Sequence, residues 1–487
     1  MTNRRGGDTR ALPISLRSVH DVRTPDPSPF PRLFRVRQRF AATPRLDLPS
    51  VVRAQLAALA PSLKPGARIA VAVGSRGIAN LATIVGEALA TLKAAGAEPF
   101  IVPAMGSHGG ATPEGQTRLL ADYGVTESAL GVPIQAAMDV ECLGRTADGV
   151  DLFCSTEALR ADAILLINRV KPHTDFGGAI GSGLLKMAVV GLGKHAGAIA
   201  FHRAAHRIGY ERALRTAARL VLSKAPILGG LAIVENQRHE AARLAFVSSQ
   251  EIEAREPGLA AEAAQLMPRL PVDEVDLLIV DRLGKDISGT GMDPSVIGRQ
   301  IHGYSLLETP LPESDLLTGH EPDRIPLTRP SDTLSPSGGE RGGVRGSSVG
   351  SQRRARPLIR RLFVRDLTPG SHGNATGIGM ADFTTTRLVR AIDWKATYTN
   401  ALTAMSLQGS KIPIHFDTDR ECLAQALATL PIPDPHQAKI VRITDTLSVS
   451  ELELSEAYGE EVRQRADLEI VSSPAEIRFD PEGNLPS

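Results

Sequence analysis

The sequence predicts an α/β protein of two domains with mostly parallel sheets and an active site in the cleft between them. Three observations predict it. Apolar runs at 67–73 (ARIAVAV), 163–167 (AILLI) and 275–280 (VDLLIV) read as strands buried on both faces. Segments of helical period separate strands, as βαβ units require. Glycine-rich loops follow the strands, and ligands collect where parallel strands end.

The chain has 487 residues, too many for one ordinary core. Its 42% hydrophobic and 22% charged residues are an ordinary globular composition, and a net charge of +1 gives no reason to expect nucleic acid or an acidic membrane as partner. No uncharged apolar run reaches the length of a membrane span, and the basic start lacks the apolar segment of a secretory signal, so the cytoplasm is the expectation. Cys142, Cys154 and Cys422 match no zinc spacing and read as quiet thiols.

In order, residues 1–30 read as a disordered tail rich in Arg, Pro and Ser. An N-terminal α/β domain that binds cofactor and metal is expected over 31–271. It starts with an alternating strand at 34–40, a helix at 48–63 ended by Pro65-Gly66, and the strand at 67–73. A helix (79–96) and a strand (99–103) follow. Then Thr112, Pro113 and Glu114 supply a cap, a first-turn proline and a first-turn acid for the next helix. Short strands are expected over 134–154, one long helix over 196–217, a strand at 228–234 and a helix at 249–267. A C-terminal α/β domain is expected over 272–480. Its strands at 275–280 and 359–367 lead into the loops 284–293 (GKDISGTGMD) and 370–379 (GSHGNATGIG), the second followed by a helix through Leu388. Between them, 311–355 is Ser, Gly and Arg with few apolar anchors and reads as a disordered insertion. The last residues read as tail.

The chemistry concentrates in residues 168–206 (NRVKPHTDFGGAIGSGLLKMAVVGLGKHAGAIAFHRAAH). His173 follows a rigid proline and precedes the glycine run that includes Gly181 and Ser182. Free N–H groups there suit an anion, though neither a P-loop nor a dinucleotide fingerprint is complete, and a tight turn explains the glycines equally well. Lys186 stands among apolar neighbours, where a lowered pKa makes an amine nucleophilic. His202 and His206 share a helix face at a metal-ligand spacing, or are simply two solvated histidines. His108 lies between Ser107 and Gly109 in a post-strand loop, open to proton transfer or to a structural role. Arg76 and Lys285 are candidate grips for an anionic substrate, or ordinary surface charges.

This order of residues resembles the lactate racemase family with a nickel-pincer nucleotide cofactor. Ser107-His108-Gly109, Pro172-His173, the glycine-rich loop, Lys186 and His202 carry the resemblance, which extends from about Phe34 to Ile477 apart from the insertion. It implies that Lys186 tethers pyridinium-3-thioamide-5-thiocarboxylic acid mononucleotide, that Gly181 and Ser182 border it, and that His202 ligates Ni. It further implies that His108 and His173 are general bases on opposite faces of a 2-hydroxy acid, and that Arg76 grips the carboxylate. Cofactor-synthesis proteins follow as partners. Val73 stands where the family's lactate enzymes carry Asp, and the loop before Lys186 is longer than the family pattern. Two alternatives stay beside this expectation: a homologue that binds the cofactor without racemising, and a zinc or iron enzyme using His202 and His206.

Overall fold

The computed structural model describes residues 30–74, 78–173, 178–301 and 357–486. The expected tail before residue 30, the insertion at 311–355 and Arg76 lie outside the described residues.

The fold is mixed α/β with mostly parallel sheets, as the apolar runs predict. The chain begins with β1 (Leu33–Gln38), then β2 (Arg68–Val73), β3 (Glu98–Pro103), the hairpin β4 (Val140–Arg145) and β5 (Asp151–Ser155), β6 (Ala163–Arg169), β7 (Ile227–Glu235) and β8 (Ala241–Ser248). Strands β2, β3, β6, β7 and β8 form one sheet in the order β3-β2-β6-β7-β8, parallel except for β8. Alternate residues serve opposite faces, and both faces are buried. Val71, Val73, Leu165 and Ile167 pack under the helices Leu48–Leu56 and Leu81–Ala94. Ala70, Ala72, Ile164 and Leu166 pack under the helices Lys194–Ile208, Tyr210–Lys224 and Ile252–Leu266. A strand covered on both faces cannot alternate polar and apolar residues, which is why these runs are continuous.

The second sheet uses β9 (Glu274–Leu283), β10 (Leu358–Leu367), β11 (Phe383–Thr385), β12 (Ile414–Phe416), β13 (Ile440–Ile443), β14 (Glu451–Ser455) and β15 (Leu468–Ile470). Its order is β12-β11-β10-β9-β13-β14-β1-β15. The five strands from β12 to β13 are parallel, and β14, β1 and β15 are antiparallel to their neighbours. The alternating first strand therefore joins this sheet, between β14 and β15, and not the one that follows it in sequence. Alternation suits it, since Phe34 and Val36 face the core while Arg35 and Arg37 face water.

Three local expectations are corrected. The single helix expected over 196–217 is two, because Gly209 takes φ 84°, a left-handed value that breaks the helix after Ile208. Between the loop 370–379 and the helix ending near Leu388 stands β11, which extends the sheet beside β10. The carboxyl end is not a loose tail: Leu485 is buried, its N–H donates to Asp419 Oδ2 (2.9 Å), and its carbonyl accepts from Arg365 Nη2 (2.5 Å).

Candidate active site

In the five-stranded sheet the strand order reverses between β2 and β6, since β3 lies to one side and β7 to the other. That reversal opens a crevice at the carboxyl ends of β2 and β6. The loop after β6 closes on itself there: Lys171 and Ser182 exchange backbone hydrogen bonds, both 2.8 Å. Gly181 sits where any Cβ would meet His173 N at 2.1 Å, so this glycine is fixed by packing as well as by any ligand. The Ser182 amide is engaged by Lys171 and is not free to receive an anion.

His173 and Lys186 meet. His173 Nε2 lies 3.3 Å from Lys186 Nζ. The His173 ring lies 4.5 Å from that of Tyr210, and Lys186 Nζ is 5.7 Å from the Tyr210 ring centre. Tyr210 is buried, and its hydroxyl donates to Gly181 O at 2.8 Å, tying ring and loop together. The helix break at Gly209 is what starts a new helix at Tyr210 and seats it there. Burial pulls the Lys186 ammonium down to about 8, and the Lys171 ammonium adds to the shift. Lys186 stands at the end of the short helix Leu184–Lys186, which runs on as the π-helical turn Met187–Gly191, a rare form enriched at functional sites.

That helix is braced from three sides. Glu256, 1% exposed, accepts from Leu185 N at 2.9 Å. Burial raises its carboxyl to about 7, against the two amides it accepts. Gly183 leaves room for Glu256, whose Oε1 a Cβ would meet at 2.4 Å. Asn168 Nδ2, at the end of β6, donates to Gly183 O at 2.9 Å. From the other end, Gly106 N donates to Gly191 O at 3.2 Å and brings the loop after β3 against the π-turn. His108 is on that loop. The two histidine loops therefore flank one helix, at its start and at its end, on strands either side of β2. Helix Pro113–Asp122 then begins as expected, with Thr112 Oγ1 accepting from Gly115 N at 3.1 Å.

His202 lies on the helix Lys194–Ile208, edge-on to Phe201 with ring centres 5.8 Å apart, and Phe201 reaches Tyr210 at 5.4 Å. A ring-to-ring path thus joins His202 to His173. Among the described residues no three His, Cys, Asp or Glu side chains gather as a metal site. Lys285 folds back on its own loop, Nζ donating to Gly289 O at 2.5 Å.

Sequence reasoning missed four groups. Lys171 is held down to about 8 by burial and by the Arg169 guanidinium, against the pull of Asp293 and Glu235. Asp293 ends the loop 284–293, so its field on Lys171 links the carboxyl edges of the two sheets. Buried Glu235 binds Arg169 Nη1 (2.5 Å) and Ala79 N (2.6 Å), clamping the chain on either side of the crevice. Glu256 and Lys194 complete the set. In the eight-stranded sheet the two glycine-rich loops also pack together: Thr368 Oγ1 donates to Asp286 Oδ1 at 2.5 Å, and a Cβ on Gly377 would meet Thr290 O at 1.9 Å. A surface hollow lined by Phe34, Glu456, Arg463 and Val471 lies on the antiparallel side of that sheet and contains none of these residues.

No family model and no curated protein matches this chain. Among solved structures it is similar to the lactate racemase apoprotein from Thermoanaerobacterium thermosaccharolyticum, at 15% identity and a TM-score of 0.36. The match covers 49% of this chain and 60% of that one, less than two-thirds of its length.

Proposed function

We propose that this chain is a racemase or epimerase of a 2-hydroxy acid that works with a nickel-pincer nucleotide. The observation that carries the reading is the half-buried Lys186, its amine desolvated to a pKa of about 8 and set 3.3 Å from His173 at the switch point of a parallel sheet. An amine near 8 keeps an appreciable neutral fraction at pH 7, as a covalent tether requires. The side chains present fit such a group: one lysine for attachment and one histidine, His202, for nickel, the other nickel donors belonging to the cofactor. When bound, that group supplies a hydride acceptor.

The chain's own residues do the rest. His108 and His173 take and return the hydroxyl proton, one for each face of the planar 2-keto acid, because inversion requires acid–base groups on both sides. Tyr210 holds the His173 loop through Gly181. Arg76 and Lys285 are the proposed grips on the carboxylate. The 2-hydroxy acid is the substrate class that the resemblance to the lactate racemase family implies.

The test is to produce the chain together with cofactor-synthesis proteins. Intact mass, nickel content and the optical purity of a panel of chiral 2-hydroxy acids are then measured. Added mass on Lys186, bound nickel and loss of optical purity are expected. Cofactor and nickel without racemisation of any acid would leave a binding homologue, and bound zinc without added mass would sink the reading altogether.

A further inference from the structure

We propose that Lys194 is a positioning residue that fixes the corner between the Lys186 helix and the His202 helix and, through Gln116, sets the backbone of the His108 loop. The proposal rests on the function proposed above for what those three groups do.

Lys194 opens the helix Lys194–Ile208, which leaves the Leu184–Gly191 helix at 112°. It is wholly buried and takes φ 52°, a left-handed conformation that side chains other than glycine rarely adopt. A glycine would hold this corner without strain, and a leucine would fill the space without burying an amine. The lysine keeps both costs, and such outliers point toward function. Its ammonium has two acceptors: Nζ donates to Pro103 O at 2.7 Å and to Gln116 Oε1 at 3.2 Å. Gln116, also 0% exposed, passes the connection on, its Nε2 donating to Gly106 O at 2.9 Å and to His108 O at 3.4 Å. One side chain thereby joins the end of β3, the His108 loop and the start of the His202 helix. Gly193, just before it, allows the close turn: a Cβ there would meet Val189 O at 2.4 Å. No salt bridge to Lys194 exists among the described residues, so its role is directional hydrogen bonding rather than charge pairing.

The test uses the full chain with Lys194→Met, Lys194→Arg and Gln116→Leu. Hydrogen exchange followed by mass spectrometry reads the loop from Met105 to Ala111 and needs no cofactor. In Lys194→Met and Gln116→Leu, exchange in that loop should rise about tenfold while β2 and β6 keep their protection. In the loaded enzyme, kcat should fall about 30-fold with KM within about threefold, since a displaced base hurts the transition state more than substrate binding. Lys194→Arg, which keeps a donor, should recover most of both. Loop exchange at the parent level in both variants overturns the proposal. So does protection lost evenly across the whole sheet, which would make Lys194 a plug and nothing more. If Lys194→Met does not fold, Gln116→Leu alone decides. If the loaded parent racemises nothing, the function proposed above fails, and the exchange result still rules on Lys194.

Discussion

At the carboxyl edge of the five-stranded sheet three desolvated lysines stand without a salt bridge among the described residues, next to an Arg169–Glu235 pair, whereas in the eight-stranded sheet the buried cations are arginines inside an ion-pair network. Lys171, Lys186 and Lys194 are each held near 8 by burial, and none has a salt bridge among the described residues. Arg365 instead pairs with Asp281 (2.7 Å) and Asp419 (2.8 Å), Arg387 with Asp419 (2.7 Å), and Arg442 with Asp281 (3.0 Å). An arginine fork answered by carboxylates stays charged and holds strands together. A desolvated lysine becomes a reagent or a directed donor. Chemistry is therefore expected in the first region and architecture in the second.

The sharpest way to break that contrast is at Lys186. Lys186→Ala should abolish cofactor attachment and racemisation, and His173→Ala should lower kcat by about 10²–10⁴-fold, in line with loss of a general base. Both are read by intact mass and chiral assay, and a His173→Ala or His108→Ala enzyme as fast as the parent would remove the two-base scheme. Next in size, Asp419→Ala in the other region should cost about 3–5 kcal/mol in denaturant unfolding, because it removes the fully buried carboxylate shared by Arg365 and Arg387. Its turnover per folded molecule should stay at the parent value.

Smaller effects come from the pH dependence of stability, and the two buried groups at the Lys186 helix slope in opposite directions. For Lys186 the unfolded chain keeps its proton up to 10.5 and the folded chain only to about 8, so stability rises with pH between those values. Lys186→Met should therefore stabilise by about 1–2 kcal/mol at pH 7, a gain that fades toward pH 10. For Glu256 the folded chain keeps its proton to about 7 and the unfolded only to 4.5, so stability falls as pH rises through that window. Glu256→Gln should stabilise by a similar amount above pH 7 and do little near pH 4. Urea titrations across pH check both, and parallel slopes would contradict the burial described for one of the two groups. Smallest of all, Lys285→Ala should change stability by less than about 0.5 kcal/mol. If Lys285 grips substrate, the same variant raises KM and leaves kcat alone.

The strands and the Thr112 cap were legible because each depends on residues close in sequence. The break at Gly209 was legible in principle, as a glycine after a basic last turn is a helix-ending signal. It was hidden by apolar periodicity continuing on both sides. The placement of β1 was not legible, since its partners lie more than 400 residues away and alternation names a face, not a neighbour. Nor were Lys171, Lys194 and Glu256, because desolvation is a property of the packed protein. The bond between Lys194 and Gln116 spans 78 positions.

Because β1 lies between β14 and β15, the first and last strands of the described residues join the same sheet. The five-stranded sheet is thus an excursion that leaves after β1 and returns at β9. Cutting the chain near Pro271 would not release two self-sufficient halves. The amino-terminal fragment would carry an unpaired, half-apolar strand, and the carboxyl-terminal fragment would hold an empty slot with the register Leu33↔Ser455 to Arg37↔Glu451 left open. Such a slot takes a strand from elsewhere. A peptide spanning residues 31–40 should bind the carboxyl-terminal fragment and restore its sheet, making the molecule's first strand a detachable key to its second half.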